Sequence, residues 1–242
     1  MTRFFVTPDH FSSKTVVLTG ENANHAKVLR LKNGEQVMLC DGHGCEAVCT
    51  VETDGCNYTL QLSEICESRT EPAVRVSIYM AMPKADKLEH VIQKATELGA
   101  YEIITFPTSR CVSRPDEKSL MKKLERWQKI AASAAEQSGR GRIPQVIVLG
   151  SYLEALKRAA DADCGILFYE NERANTLHAI LTGKPYSSVS LMSGPEGGFE
   201  PWEVTQAMDT GLQVCTLGAR ILRCETAPLC ALSAVMYDCG EF

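Results

Sequence analysis

The stretch "SVSLMSGPEGGFE", Ser188 to Glu200, is an apolar run that breaks into a turn with three glycines and a proline in six residues. A Gly-rich turn at the carboxyl end of a strand is where open α/β sheets bind ligands. The turn is not a P-loop, because no Gly-Lys-Ser/Thr follows, and the G-x-G-x-x-G dinucleotide spacing appears nowhere in the chain. Pro195 stiffens the backbone, while Gly197 and Gly198 permit close approach of a ligand or another strand. Glu196 places a carboxylate in the turn, which suits a cationic or neutral polar ligand better than a phosphate. Taken alone, the motif reads as a structural turn sooner than as a site.

Around this stretch the rhythm is that of alternating strands and helices, the signature of an α/β domain. "VRVSIYMAM", "YEIITFP", "PQVIVLG", "CGILFYE", "SVSLMSG" and "LQVCTLG" read as strands. "KADKLEHVIQKATELG" reads as an amphipathic helix closed by Gly99, and "LMKKLERWQKIAASAAEQSG" as a long helix ending at Gly139. The last helix starts near Thr226, a suitable N-cap, with Pro228 in its first turn. Residues 1–70 differ, with short strands punctuated by Asn33-Gly34, Asp41-Gly42 and Asp54-Gly55, the last two being hairpin signals. One helical segment, "NANHAKVLRL", lies among them. The charged "ESRTEP" then ends the pattern at Pro72. The expected organisation is a small β-rich barrel over 1–72 and an α/β domain over 73–242.

The 242 residues carry a net charge of −5, which argues against indiscriminate nucleic-acid binding. Nine Lys or Arg against four acids between Arg110 and Arg142 nevertheless form a local basic strip, readable as a polyanion-binding face or as a solvated helix surface. No apolar run approaches the roughly 20 residues that span a bilayer. "MTRFFVTPDH" lacks a signal-peptide core, so the eleven cysteines are expected as reduced thiols in a cytoplasmic protein. Cys40, His43, Cys45, Cys49 and Cys56 lack the tight C-x2-C pair of zinc sites, and no metal is expected. The histidines at 25, 43, 90 and 178 show no triad arrangement.

A second segment, "TLGARILRCETAP" (Thr216–Pro228), also follows a strand and opens into a helix. It crowds Arg220, Arg223, Glu225 and Thr226 into an otherwise apolar stretch. Burying such charges unpaired is costly, so they are either paired structurally or used on a substrate.

"SGPEGGFE" followed some twenty residues later by "LGARILRCETAP" resembles the 16S ribosomal RNA uracil-N3 methyltransferase family. That family belongs to the SPOUT superfamily of knotted S-adenosylmethionine-dependent methyltransferases. "RFF", "HAKVLRLKNGE", "KLEHVIQKATELGAYEI" and "ERWQKIAASAAEQSGRGRIP" stand in family order, so the resemblance spans nearly the whole chain. It departs in placing Glu200-Pro201 where relatives often have Ser, Thr or Asp.

The resemblance implies a PUA-like β-barrel followed by a trefoil-knotted methyltransferase domain. It implies S-adenosylmethionine held by three loops. The first is Phe168, Tyr169 and Glu170; the second is Met192, Ser193, Gly194, Pro195, Gly197 and Gly198; the third is Leu217, Gly218, Ile221 and Leu222, with Thr226 behind. It further implies a homodimer acting on 16S ribosomal RNA within the small subunit, at N3 of a uridine in the decoding region. Arg220 or Arg223 then stabilises the uracil anion or binds phosphate, and Glu196 or Glu225 assists proton removal or orients an arginine. Arg110, Arg114, Arg126, Arg140 and Arg142 become phosphate contacts, with Gln137 and Ser138 near the target nucleotide. In the acidic N-terminal part, RNA contact narrows to Arg3 and to Lys27 and Arg30 in "HAKVLRLK". Two alternatives stand beside this reading: another knotted methyltransferase acting on a ribose 2′-hydroxyl of ribosomal or transfer RNA, and a non-catalytic RNA-binding assembly factor.

Overall fold

The computed structural model describes residues 1–183 and 185–242. It divides into two compact units, residues 1–71 with 135–143, and residues 72–134 with 144–242. The first break falls between residues 71 and 72, and nine residues near Gly139 group with the N-terminal unit, which sequence rhythm did not indicate.

The first unit is a five-stranded sheet of β1 (Arg3–Phe5), β2 (Thr15–Val17), β3 (Gln36–Cys40), β4 (Cys45–Thr53) and β5 (Tyr58–Glu67). Its order is β1-β3-β4-β5-β2. β3, β4 and β5 form an antiparallel meander, while β1 runs parallel to β3. No ladder among the described residues joins β1 to β2, so the expected barrel is an open curved sheet at that seam. Both Asp-Gly turns act as read: Asp41 Oδ1 accepts from the N–H groups of His43 and Cys45, and Asp54 Oδ1 from those of Cys56 and Asn57. Helix α1 (Gly20–Leu29) ends at Arg30, whose φ of 55° is left-handed. Phe4, Leu39, Val51 and Leu60 are fully buried at the centre of the unit. Cys40 and Cys49 are buried there too, and burial holds each thiol up near about 11. All eleven cysteines are free.

In the second unit, β6 (Arg75–Ala81), β7 (Glu102–Phe106), β8 (Gln145–Val148), β9 (Cys164–Phe168), β10 (Ser188–Ser193) and β11 (Gln213–Cys215) make one sheet. Every pair is parallel, in the order β11-β9-β10-β6-β7-β8. β9 is buried along its whole length and β10 nearly so, as parallel strands covered on both faces must be. The helices are α2 (Lys87–Glu97), α3 (Glu117–Ser138), α4 (Tyr152–Ala160), α5 (Leu177–Leu181), α6 (Pro201–Asp209) and α7 (Thr226–Asp238). The last turn of α3 lies in the first unit. α2 closes on Gly99 with φ of 94°, where a Cβ would sit 2.7 Å from the Pro72 ring. α7 differs from expectation at its start. The N–H groups of Thr226 and Ala227 both donate to the Arg223 carbonyl, so the helical turn begins before Thr226, and Thr226 is its first residue instead of its cap.

Candidate active site

β9, β10 and β11 are neighbours in the sheet, with Met192 beside Leu167 and Cys215 beside Phe168. Their carboxyl ends therefore lie level, and the three loops that leave them meet around a cavity of about 600 Å³. That size falls within the range of about 300–1,000 Å³ typical of small-molecule sites. Phe168, Tyr169 and Glu170 form one wall, Ser193 to Phe199 a second, and Thr216 to Cys224 a third. The structure thus brings together every residue expected to hold cofactor except Met192 and Thr226. Met192 is fully buried within β10 itself, and Thr226 gives its place to Ala227 one residue on.

The Gly-rich turn is shaped by its own backbone. The Gly198 N–H donates to the Pro195 carbonyl at 2.9 Å, and Gly198 takes a φ of 67°. A Cβ on Gly198 would lie 2.6 Å from the Glu170 carboxylate, and one on Gly194 would lie 3.1 Å from the Gly198 backbone. Two glutamates anchor the far side of the turn. Glu203 is fully buried and accepts from the Ser109 and Glu200 N–H groups at 2.9 and 2.8 Å. Glu200 grips Arg110 through two hydrogen bonds of 2.9 and 3.0 Å, and Arg110 also donates to the Gly197 carbonyl at 2.6 Å. The Arg110 hydrogen bond, against a smaller opposing effect of burial, holds the Glu200 carboxyl below its ordinary range.

On the opposite side, Glu196 accepts from the Lys84 N–H at 3.1 Å and from Lys87 Nζ at 2.9 Å. Lys87 also lies 3.6 Å from Glu225. Burial works to raise both carboxyls, but backbone N–H groups and the Lys87 ammonium outweigh it, so Glu196 and Glu225 sit below the ordinary glutamate value. Hydrogen bonding to Glu196 raises Lys87 in turn. Burial, then the bond to Glu225, pushes the Cys224 thiol up to about 11, so it is protonated at neutral pH and is no nucleophile. Lys87 lines the cavity and was missed in the sequence, where it looks like any lysine in the first turn of an amphipathic helix.

Arg220 and Arg223 line the same cavity, are exposed, and have no carboxylate partner among the described residues. The burial cost inferred from their apolar neighbours does not arise, since Ile221 between them is itself 84% exposed. Glu225 stands just outside the lining and does not orient either arginine; its partners are Lys87 and Cys224.

The residues expected to bind RNA divide sharply. Arg3 donates to Glu46 at 2.6 Å with 11% of its side chain exposed, and Arg140 donates to Glu71 at 2.6 Å with 4% exposed. Both are ion pairs within the first unit, so these two guanidiniums are committed to carboxylates, which the sequence did not indicate. Arg142 donates to the His43 carbonyl, Arg110 serves the Gly-rich turn, and Arg126 bonds Glu89 while staying 68% exposed. Lys27, Arg30, Arg114 and Gln137 are exposed, with no side-chain hydrogen bond to another described residue. No group of three or more His, Cys, Asp or Glu among the described residues is placed to hold a metal.

The chain matches the model of an RNA methyltransferase domain over residues 70–236 and that of an RNA methyltransferase PUA domain over 18–55. It is 39% identical over 231 residues to ribosomal RNA small subunit methyltransferase E of Bacillus subtilis, covering 93% of this chain and 90% of that protein. Among solved structures it is similar to ribosomal RNA small subunit methyltransferase E from Neisseria gonorrhoeae bound to S-adenosyl methionine. The identity there is 32%, the TM-score 0.87, and 98% and 97% of the two chains are covered. A Legionella pneumophila methyltransferase in complex with the bound cofactor SAM gives 28% identity and a TM-score of 0.81, with coverage of 98% and 97%. An RNA methyltransferase domain that fills most of the chain, a PUA segment before it and relatives matched end to end agree on one assignment: the chain belongs to the ribosomal RNA small subunit methyltransferase E family.

Proposed function

We propose that this chain is an S-adenosylmethionine-dependent methyltransferase that modifies N3 of a uridine in the decoding region of 16S ribosomal RNA. The observation that carries the reading is the convergence of both sequence motifs on one cavity at the carboxyl ends of β9, β10 and β11. The cavity's chemistry fits the cofactor. Phe168, Pro195, Leu217 and Leu222 offer apolar surface to an adenine, and the Glu170 carboxylate suits a ligand bearing ammonium and sulfonium charge. S-adenosylmethionine, when bound, supplies a methyl group already activated by its sulfonium, so alignment of the acceptor accounts for much of the acceleration.

The acceptor nitrogen must lose its proton, which passes to solvent water, and the resulting anion is stabilised by a nearby cation. Arg220 and Arg223, unpaired at the cavity, fill that role. Glu196 and Glu225 are ionised, weakly basic and occupied by Lys87, so their part is to fix the loops in preference to removing the proton. In this reading residues 1–72 form an RNA-binding PUA-like domain and 73–242 the catalytic domain, working in the cytoplasm as a homodimer. The C-terminal segment passes through a trefoil knot. Its support is the lacing of Thr216 to the loop after β9, through Thr216 N–H to Asn175 O and Leu177 N–H to Thr216 O, before α7 returns to pack on β10, β6 and α2.

The test is methyl transfer from labelled cofactor to small-subunit particles from a strain lacking this activity, followed by nucleoside analysis. N3-methyluridine is the expected product. A ribose-methylated nucleoside would assign the other knotted class. Absence of both transfer and calorimetric cofactor binding would leave an RNA-binding assembly factor.

A further inference from the structure

Three segments far apart in the chain meet at one ammonium. Lys87 opens α2, Glu196 lies in the turn after β10, and Glu225 stands at the foot of α7. Lys87 Nζ reaches Glu196 at 2.9 Å and Glu225 at 3.6 Å, and it lies 3.8 Å from Cys224 Sγ. The same Glu196 oxygen accepts the Lys84 N–H, so the turn before α2 is bound to the Gly-rich turn through both backbone and side chain. Ala85, between these two lysines, holds a left-handed φ of 54°, a conformation that a non-glycine residue keeps only where its surroundings impose it. Lys87 is also a wall residue of the cavity.

Among the described residues no ion pair joins the two motifs that carry the family likeness directly; the lysine links them. Two carboxylates within 4 Å of one ammonium repel each other when that cation is removed. The loops after β10 and β11 would then be driven apart at the side of the cavity that both help to build. Because both carboxylates neutralise it, Lys87 is poorly suited to gripping an RNA phosphate, in contrast to the unpaired Arg220 and Arg223.

We propose that Lys87 is a positioning residue of the methyl-transfer site, holding the Gly-rich loop and the Arg220–Glu225 loop together so that the cofactor cavity keeps its shape. The inference rests on the reading of that cavity as the S-adenosylmethionine site.

Calorimetry with S-adenosylmethionine on the full chain tests it, with RNA affinity and melting temperature measured alongside. K87M is expected to weaken cofactor binding at least tenfold and RNA binding less than twofold, with turnover returning to within threefold at saturating cofactor. K87R, which can still reach both carboxylates, is expected to stay within threefold of the original chain. The double variant K87M/E196Q should bind no worse than K87M, because the two changes break one linkage. Should K87M fail to fold, E196Q/E225Q keeps the lysine, removes its anchors and is expected to weaken cofactor at least tenfold. Cofactor affinity within twofold of the original in K87M, or in E196Q/E225Q, overturns the proposal. So do multiplicative effects in K87M/E196Q, or a K87M defect confined to RNA affinity. An unsubstituted chain that binds no cofactor overturns the reading of the cavity, and this inference falls with it; normal binding there with an unaffected K87M overturns the inference alone.

Discussion

Arg220 and Arg223 contribute to the cavity through their charge more than through packing, since both are exposed and unpaired among the described residues. Arg220→Ala is therefore expected to cut single-turnover methyl transfer by about 10²-fold or more, the order of loss that follows removal of one group stabilising a developing anion. Its melting temperature should stay within about 2 °C of the original, as for surface changes away from packing. Turnover that survives the substitution would remove Arg220 from the mechanism. The arginines were legible as chemistry because two guanidiniums three residues apart in an apolar stretch demand an account. The partners of Arg110 were not legible, for the opposite reason. Its place in a basic strip suggested phosphate, whereas its actual partners, Glu200 and the Gly197 carbonyl, lie about ninety residues away.

At the scale of elements, the strands of the second unit were legible because fully buried parallel strands are continuous apolar runs. α4 was not anticipated. At nine residues it is short, although Ser151 accepting from the Glu154 N–H is a start signal written in the sequence. The entry to β10 is fixed by Asp163, whose carboxylate accepts from the Ser187 N–H, the Ser187 hydroxyl and the Ser188 N–H. Those bonds, led by the Ser187 hydroxyl, hold the Asp163 carboxyl down at about 2. A depressed acid favours the folded state above its unfolded value, near 3.8, and loses that contribution as pH falls through about 2. Asp163→Asn should thus be less stable than the original chain at pH 7, and the gap in denaturant midpoint should close between about pH 4 and 2. A gap that persists unchanged at pH 2 would show that the carboxylate's charge is irrelevant to the turn.

For the molecule as a whole, the nine residues that leave the end of α3 and group with the first unit are held by an acid at that unit's edge. Glu71 accepts from the Arg140 guanidinium and from the N–H groups of Gly141 and Arg142. Breaking a buried ion pair from one side costs about 3–5 kcal/mol, because the remaining charge stays desolvated. Arg140→Met should therefore lower unfolding stability by an amount of that order, seen as a shifted urea midpoint, and a shift below about 1 kcal/mol would deny the pair its structural role. Under the proposed function, RNA affinity rests on other cations. Arg114 and Lys122, both exposed, are each expected to lower the slope of log affinity against log salt by about 1 when changed to alanine. Arg110→Ala should leave that slope unchanged while weakening cofactor binding, since its guanidinium is committed to the Gly-rich turn. Filter binding across a salt series, set beside cofactor calorimetry, separates the two classes.

The sequence alone determined the change of rhythm near Pro72, the strand–helix alternation beyond it, and the pair of motifs that identify the family. These are local properties: periodicity records which face of an element is buried, and a glycine turn records what its own backbone needs. Only the tertiary structure decided which distant charges meet. Lys87 with Glu196 and Glu225, Arg110 with Glu200, and Arg140 with Glu71 are joined across 69 to 138 residues of chain. A side chain's charge does not specify its partner. A lysine on a helix carries the same letter whether water or two carboxylates surround it, and the parallel sheet, by setting three strand ends level, selects which of those surroundings it has.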